Sequence, residues 1–307
     1  MALRFTVLAS GSAGNASLLE ADGFSVLIDA GLGPRQLAQR LAAVGASWEQ
    51  VQAVLLTHTH SDHWKERTLA HLRRRRIPLY CHAQHHPTLL AYSMAFPQLL
   101  KDQLVHGYEP GGELTLGASL RCRPLPVRHD GGATFGFRFE GSADLFGQPW
   151  ALAYVADLGS WTPELAQAMA DVDLLALEFN HDVELEHASG RSAHLIARVL
   201  GDAGHLSNSQ AAGLLQEVVR LSEPGRLQHV VQLHLSRDCN RPELAVEAIR
   251  DLLADGVAIH TASQDEAGPA LMLGMLAAKT RTTRGPRNPS SSRRADPSAS
   301  QAWLPGW

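Results

Sequence analysis

The sequence predicts an α/β fold of four layers, an αββα sandwich in which two β-sheets pack face to face and helices cover both outer surfaces. The first half of the chain consists of short β-like runs separated by glycine-bearing turns, a pattern typical of antiparallel strands. The second half alternates helical and apolar β-like segments, which favours helices packed against a sheet. No linker interrupts residues 1–275, so a single domain is predicted over residues 1–278.

The predicted elements follow one another closely. The first strands are RFTVLAS, NASLLEA and FSVLIDA, with the turn GSAGN between the first two. That turn lacks the Gly-Lys-Ser/Thr ending of a phosphate-binding loop and precedes a strand, so it is predicted to be a hairpin turn. The remaining segments are, in order, the helix GPRQLAQRLAAVG, the strand VQAVLLT, a short helix ending in LRRRR, the strand IPLYCH, a helical stretch near 85–95, the strands LRCRPLPVRHD, TFGFRFE and WALAYVAD, and then TPELAQAMAD, VDLLALEFN, SNSQAAGLLQEVVRL, LQHVVQLHL, RPELAVEAIRDLLAD and VAIHTA as alternating helices and strands.

Composition predicts a cytoplasmic protein without a membrane segment. No apolar run reaches the roughly 18 residues needed to span a bilayer. The N-terminal MALRFTVLAS leads straight into a strand and lacks the features of a secretory signal. The three cysteines are far apart in the sequence, as expected in a reducing compartment.

Charge is distributed unevenly between the body of the chain and its C-terminal end. Residues 279–307 are rich in Pro, Ser and Arg and are predicted to be a disordered basic tail. This tail has six basic residues and one acidic residue, a net charge of +5. Since the whole chain has a formal net charge of −4, residues 1–278 have a net charge of −9. A broadly basic face for nucleic acid is therefore not evident, and a polyanion must be held by local groups, a metal or the tail.

The segment VQAVLLTHTHSDHW contains a cluster of potential metal ligands. An apolar strand ends at Thr57, and His58, His60, Asp62 and His63 follow within six residues. The alternate residues His58 and His60 can face one centre, and Asp62 and His63, one turn further on, can face a second. Imidazole and carboxylate ligands suit zinc, manganese or iron.

Three more candidate ligands occur where other β-like runs end. His129 follows LRCRPLPVR, Asp157 follows WALAYVA, and His234 ends QHVVQL. A hydrolytic centre with two metals needs ligands from several strand ends, and an aspartate there can bridge two cations with its two oxygens. The sequence thus predicts two divalent metal ions, zinc or manganese with iron as a further possibility.

The His-x-His-x-Asp-His motif, followed by His129, Asp157 and His234, resembles the metallo-β-lactamase fold superfamily, and the likeness covers most of residues 5–262. The resemblance implies that Asp157 bridges the metals and that Asp29, at the end of FSVLIDAG, supports the site without binding metal. The ligands that it implies are His58, His60 and His129 for metal 1 and Asp62, His63 and His234 for metal 2.

Further motifs resemble the ribonuclease Z-related branch, and most of all YycJ/WalJ-like proteins, which are similar to 5′-directed DNA exonucleases. These motifs are LASGSAGNASLL, THTHSDH, NHD, GHLSN and HLSRDCNRP. The resemblance implies a metal-dependent phosphodiesterase that hydrolyses DNA ends through a metal-bridged hydroxide. A secreted β-lactamase, a glyoxalase II-like enzyme and a β-CASP nuclease are disfavoured, because the signal peptide, the glycines after the histidine motif and the inserted domain are missing.

The tripeptide His-Leu-Ser occurs twice, and the two copies are predicted to have different roles. His234 ends a buried strand and is the expected metal ligand, whereas His205 precedes a helix that Ser207 or Asn208 can cap. By resemblance, His205 orients or protonates the leaving oxygen. Asp62 or Asp157 is expected to steady the hydroxide.

Four residues are candidate contacts to the substrate. Ser236, Arg237 and Asn240 lie just past His234, although Asn240 can instead cap the following helix. His181, in NHD, can be an accessory ligand, a substrate contact or a residue that stabilises its loop.

Nucleic acid, more specifically DNA, is the predicted substrate, and the sequence names no protein partner or oligomeric state. An enzyme that acts on RNA ends or on small cyclic phosphodiesters would have the same metal ligands, so it stays an alternative. A nucleic-acid-binding or regulatory protein with a structural metal is the rival from another class. The open site argues against it, because structural zinc is normally closed by four protein ligands.

Overall fold

The computed structural model describes residues 3–142 and 149–273, and within these ranges the strands form two sheets of seven. The strand order is β14-β1-β2-β3-β4-β5-β6 in the first sheet and β13-β12-β11-β10-β9-β8-β7 in the second. The strands are β1 Leu3–Ala9, β2 Ala16–Ala21, β3 Phe24–Ile28, β4 Ala53–Leu55, β5 Leu79–Cys81, β6 Val105–Gly107, β7 Leu114–Leu116, β8 Leu120–Val127, β9 Thr134–Ser142, β10 Pro149–Val155, β11 Leu174–Glu178, β12 His229–Leu233, β13 Ala258–Thr261 and β14 Leu271–Leu273.

Nine α-helices and one short 3₁₀ turn, Ala83–His85, are found in the described residues. The helices are α1 Pro34–Ala43, α2 Glu66–Arg75, α3 His86–Tyr92, α4 Phe96–Lys101, α5 Pro163–Met169, α6 Val183–Ala188, α7 Ala193–Leu200, α8 Asn208–Leu221 and α9 Pro242–Arg250. None of them has the length and apolar character needed to cross a membrane. The tail predicted at 279–307 lies outside the described residues, so its disorder and the boundary at residue 278 stay predictions.

Three apolar clusters separate the four layers. The central cluster, which includes Phe5, Phe137 and Tyr154, fills the space between the two sheets. A second packs α1 to α4 on the first sheet, and a third packs α5, α8 and α9 on the second. Because each sheet is apolar on both faces, it needs a partner on both, and the predicted αββα sandwich is confirmed.

Parallel pairing brings the important strand ends to one edge. In the second sheet β10, β11, β12 and β13 are mutually parallel, and β8 runs in the same direction because β9 is antiparallel to both β8 and β10. In the first sheet β3, β4, β5 and β6 are parallel. The segments that follow β3, β4, β8, β10, β11 and β12 meet at this edge, as shown by the contacts described below.

The structure contains elements that were not predicted from the sequence. The short edge strands β6, β7 and β14 have three residues each, too few to show a period. Helices α6 and α7 follow the NHD motif, and each begins at a capping side chain, Asp182 and Ser192 respectively, which accepts a backbone N–H. With six and eight residues, they are shorter than the windows in which a helical pattern is reliable.

Candidate metal centre

The segment after β4 is held by a carboxylate at the end of β3. Asp29 is fully buried, and its Oδ1 accepts the backbone N–H of Thr57 at 2.8 Å. Its Oδ2 lies 2.7 Å from Nδ1 of His63, which is buried as well. A carboxylate in this position orients a metal-binding imidazole and leaves its Nε2 lone pair for a cation. The structure thus places Asp29 where a supporting residue is expected.

The hairpin turn GSAGN also contributes to this frame. β1 and β2 pair antiparallel on either side of it, as predicted. The side-chain Nδ2 of Asn15 lies 3.2 Å from Asp62 Oδ2 and 3.0 Å from His63 Nε2. The backbone N–H of Asn15 donates to the carbonyl oxygen of Asp62 at 2.7 Å. At Gly31 a Cβ atom would stand 1.7 Å from the same carbonyl oxygen, so only glycine fits here.

The three residues predicted for metal 1 lie together. Ligand atoms of His58, His60 and His129 are all within 4.8 Å of one another. His129 Nδ1 is 2.8 Å from the carbonyl oxygen of Gly204, so Nδ1 carries the proton and Nε2 remains free. Nε2 of His129 lies 3.2 Å from His60 Nδ1, and His58 Nε2 is buried without a hydrogen-bond partner among the described residues.

Asp157 lies between the two groups of histidines. Its Oδ1 is 2.7 Å from His234 Nδ1, and its Oδ2 is 3.1 Å from His63 Nε2. Asp62 Oδ2 is 3.6 Å from both His63 Nε2 and His234 Nε2. The residues predicted for metal 2 therefore converge on the carboxylate that is predicted to bridge.

Partnerless polar atoms test whether a metal fits this arrangement. Among the described residues, two buried ring nitrogens that face the centre, His58 Nε2 and His234 Nε2, have no hydrogen-bond partner, and Asp157 Oδ2 has only its ion-pair contact with His63 Nε2. Leaving such atoms unsatisfied costs free energy, and buried polar groups normally have partners. Divalent cations coordinated by these imidazoles and carboxylates would satisfy both nitrogens and balance the charge of Asp157, so the residues present fit the metals that were predicted.

Burial and charge set the protonation states of the protein groups. Burial lowers the pKa of His58 well below its usual value, which keeps the ring neutral. Burial also lowers the pKa of His63, but the carboxylates of Asp29 and Asp157 outweigh this effect and raise it to about 10. Burial raises the pKa of Asp157, but the charges of His234 and His63 hold it well below its usual value. A cation at this centre must displace a proton from the ring of His63, so metal binding is expected to release protons.

The two His-Leu-Ser motifs are joined by a buried glutamate, Glu178, at the end of β11. Its Oε1 lies 2.6 Å from His205 Nδ1 and 3.1 Å from His234 Nδ1. Its Oε2 accepts the backbone N–H groups of Leu158 and Leu206. Burial lowers the pKa of His205, but the Glu178 carboxylate outweighs burial and raises it. With Nδ1 bonded to Glu178, Nε2 is the ring nitrogen of His205 that is left for the cleft.

The cleft above the centre has a volume of about 330 Å³. His60, Asp62, Asp157, His205 and His234 are among its lining residues. Ser207 begins α8 with a capping box, as the sequence analysis expects of this residue or its neighbour.

The four predicted substrate contacts lie in different surroundings. Ser236 lines the cleft. Arg237 is exposed and forms an ion pair with Asp265 at 2.6 Å, and it is not among the lining residues. Asn240 is buried and bonds Asn208 and the carbonyl of Phe179, so its side chain is used inside the protein.

The fourth of these residues, His181, is also buried and does not line the cleft. Both of its ring nitrogens lack a hydrogen-bond partner among the described residues. Its backbone carbonyl accepts the N–H of Asn208 at 2.8 Å, which ties the NHD segment to the start of α8.

Several residues at this site were not among those predicted from the sequence. Glu178 closes a strand whose five residues are all buried, and a carboxylate at the end of such an apolar run was a detectable signal. Asn15 lies in a turn that was recognised only for its shape. Arg191 and Arg198 line the cleft from the loop before α7 and from α7 itself, a region in which no helix was predicted.

Two residues of the centre have a left-handed backbone. Asp29 has φ 62° and His234 has φ 54°, conformations that are uncommon for residues other than glycine. Both follow a strand directly, and the turn in the backbone aims each side chain back at the centre. Such strain is often found at functional sites, where the surrounding structure holds it in place.

Comparison with known proteins agrees with this geometry. The chain is 28% identical over 242 residues to the exodeoxyribonuclease WalJ of Streptococcus pneumoniae, covering 79% of this chain and 85% of that protein. It is 27% identical over 255 residues to the exodeoxyribonuclease YycJ of Bacillus anthracis, covering 83% and 90%. The metallo-β-lactamase fold protein YhfI of Bacillus subtilis superposes with a TM-score of 0.63 at 19% identity, covering 89% of this chain and all of that one.

The match to a family model is the most direct finding. The model of the beta-lactamase superfamily domain matches residues 25–234, which run from β3 to the last predicted ligand. This match confirms the resemblance and the fold class predicted from the sequence, and it supports the predicted enzyme class, a metal-dependent hydrolase. The chain belongs to the beta-lactamase superfamily domain family.

Proposed function

We propose that this protein is a metal-dependent phosphodiesterase that removes nucleotides from DNA ends, acting from the 5′ end, with two divalent cations at the centre. The observation that carries the proposal is that the buried, partnerless ring nitrogens of His58 and His234 lie next to the Asp157 carboxylate, beside His205, whose Nδ1 is bonded to Glu178. The relatives named exodeoxyribonuclease support DNA as the substrate.

The ligands are proposed in two sets that share Asp157. His58, His60 and His129 hold metal 1, and Asp62, His63 and His234 hold metal 2. When bound, such cations neutralise phosphate charge and lower the pKa of water. Zinc and manganese both suit imidazole and carboxylate ligands.

The remaining chemistry belongs to groups of this chain. His205 carries a proton on Nε2, and it delivers this proton to the departing oxygen of the phosphodiester. Glu178 is a positioning residue, because its carboxylate fixes the ring of His205 and stabilises the imidazolium. The Asp62 side chain is 18% exposed and lines the cleft, so its carboxylate orients the attacking water.

The proposal is tested with 3′-end-labelled DNA and the whole chain, because a strand that is shortened from its 5′ end keeps a label at its 3′ end. We expect Mn²⁺ or Zn²⁺ to support stepwise removal of nucleotides and EDTA to abolish it. His205→Ala is expected to lower kcat by about 10²-fold or more with metal content unchanged. The matched control is His187→Ala, because His187 is an exposed histidine of α6 that does not line the cleft.

Two results would contradict the proposal. Full activity of His205→Ala would remove the proton donor. Cleavage of RNA or of a small cyclic phosphodiester without cleavage of DNA would refute the substrate and leave the metal centre in place.

A further inference from the structure

Two arginines line the cleft above the metal centre. Arg191 and Arg198 are the only lysines or arginines among the described residues that line it. Residues 1–278 carry a net charge of −9, so the body of the protein as a whole repels a polyanion. Within the described part of the chain, these two are therefore the cationic side chains that can hold a phosphate chain in this cleft.

Arg198, on α7, lies on the side of metal 1. Its Nε forms an ion pair with Asp130 Oδ2, and Asp130 Oδ1 is 3.5 Å from both His60 Nε2 and His129 Nε2. One carboxylate therefore separates the guanidinium from the ligands proposed for metal 1. The arginine side chain is 49% exposed, and its ion pair uses Nε, which leaves the terminal N–H groups for a ligand.

Arg191, just before α7, contacts the loop that follows His234, the last ligand proposed for metal 2. Its Nη1 donates to both oxygens of the fully buried Glu186, at 3.2 and 3.0 Å, and its Nη2 contacts Asp238 Oδ2 at 3.1 Å. Asp238 lies in the loop after His234, the loop that also brings Ser236 into the cleft. The buried carboxylate fixes the guanidinium, and a quarter of the arginine side chain stays exposed. Because these ion pairs involve Nη1 and Nη2, the Nε–H and the remaining N–H of Nη2 are the donors left for a ligand.

We infer that Arg191 and Arg198 bind the two phosphates that flank the scissile phosphate of a nucleic-acid strand. The inference rests on the proposed function, since it takes the scissile phosphate to lie at the metals. Arginine binds phosphate with two parallel N–H donors, and a rigidly held guanidinium loses little entropy in doing so. The substrate class is then a strand with neighbouring phosphates, and a small cyclic diester meets neither arginine.

The test compares two substrates in the same enzyme. One is an end-labelled single strand of about 12 nucleotides, and the other is bis(p-nitrophenyl) phosphate, which has no flanking phosphate. The ratio of interest is kcat/KM for the strand divided by kcat/KM for bis(p-nitrophenyl) phosphate. For Arg198→Gln we expect this ratio to fall about tenfold, mainly because KM for the strand rises. Arg191→Lys keeps a charge next to buried Glu186 and is expected to lower the ratio less, because lysine lacks the paired donors.

Two further readouts separate phosphate binding from a structural effect. Binding of the labelled strand in EDTA is measured against salt concentration, and each lost phosphate contact is expected to reduce the slope of log K against log[salt] by about 0.7. Wild type should bind a strand without its 5′-phosphate less tightly than the phosphorylated strand. In one of the two variants this difference should disappear, because the substitution and the missing phosphate abolish the same contact. Arg220→Gln is the control, since Arg220 is paired with Glu217 on α8 and does not line the cleft.

The outcomes are distinct from those of the proposed function. An unchanged ratio together with an unchanged salt slope in both variants overturns the inference. If the wild-type protein cleaves neither substrate, the proposed function fails, and the binding measurement in EDTA still decides whether the arginines hold phosphates. In that case a salt slope that is smaller in the variants than in wild type supports the inference, and a slope equal to that of wild type overturns it.

Discussion

The two halves of the metal centre are built differently. The half on the first sheet comes from one short loop, residues 57–63, which is oriented by the neighbouring Asp29 and Asn15. The half on the second sheet takes one residue from the end of each of several strands, so His129, Asp157 and His234 are separated by 28 and 77 positions in the chain. A contiguous half is visible in the sequence and depends on local geometry, whereas a dispersed half depends on the register of a whole sheet.

The residue that joins the halves should have the largest effect. Asp157→Asn keeps the volume of the side chain but removes the charge that faces His63 and His234. We expect activity to fall by on the order of 10³-fold, with loss of bound metal measured by elemental analysis. A folded variant that retains full activity would show that the halves do not need a shared carboxylate.

The buried glutamate of the second half should come next. Glu178→Gln removes the charge that stabilises protonated His205, while an oxygen remains to accept a hydrogen bond. We expect kcat to fall by about 10²-fold with KM little changed, and metal affinity to fall less than turnover, since Glu178 Oε1 also lies 3.1 Å from Nδ1 of His234. A change in KM alone would indicate that Glu178 shapes the cleft and does not position the proton donor.

The equivalent support in the first half should affect metal binding more than turnover. In Asp29→Asn the new NH₂ group faces Nδ1 of His63, so the ring must move its proton to Nε2 and can no longer bind a cation through that atom. We expect metal affinity to fall by about 10- to 100-fold, measured by competition with a chelator. Asp173→Asn is a matched control, because Asp173 is a buried aspartate that pairs with Arg226 outside the centre.

The close backbone contact in the first half predicts a loss of stability. In Gly31→Ala the added methyl group would stand 1.7 Å from the carbonyl oxygen of Asp62, so the two segments must separate. We expect the free energy of unfolding to fall by about 2–3 kcal/mol in urea denaturation. In the control Gly33→Ala, the nearest atom to the methyl group is 3.6 Å away, and a much smaller loss is expected.

A hydrogen bond between the two sheet layers, outside the metal centre, predicts a smaller, pH-dependent effect. His85, after β5, bonds the carbonyl oxygen of Ala133, in the loop before β9, through Nε2 at 2.8 Å. Burial lowers the pKa of His85 to about 4, whereas the unfolded chain has about 6.5. The unfolded state therefore binds more protons as the pH falls below 6.5.

The pKa shift of His85 should thus lower the free energy of unfolding by about 1 kcal/mol as the pH falls from about 7 to about 5.5. Comparing the pH dependence of unfolding in wild type and His85→Gln isolates this contribution, because the other histidines are common to both. Identical pH dependence in the two proteins would show that His85 is neutral in both states or protonated in both.

Much of the first half could be predicted from the sequence. The spacing of His58, His60, Asp62 and His63 within one segment is sufficient to indicate ligands, and the apolar run before it indicates the strand that places them. His129, Asp157 and His234 could be predicted because each follows an apolar strand, and parallel strand ends meet at one edge of a sheet. Asp29 was recognised by resemblance, and the structure shows that it holds the ring of His63.

The residues around the second half could not be predicted in the same way. Glu178 connects His205 to His234 only because β11 lies between β10 and β12, a strand order that no local pattern encodes. Arg237 and Asn240 are close to His234 in sequence, yet one turns to Asp265 and the other into the interior, because side chains near a strand end can point in either direction. Arg198 lies on the short helix α7 and Arg191 in the loop before it, a region with little sequence signal.

The sequence by itself determined the layered α/β architecture, the set of predicted ligands and the family to which they are similar, since these depend on local periodicity and on residue types at strand ends. Only the tertiary structure decided which nitrogen of each histidine is free, which carboxylate supports which ring, and which charged side chains face the cleft. These features arise from contacts between residues far apart in the chain, such as His129 with Gly204 and Asp130 with Arg198. Such contacts depend on sheet order and packing, which the physics of a short segment does not contain.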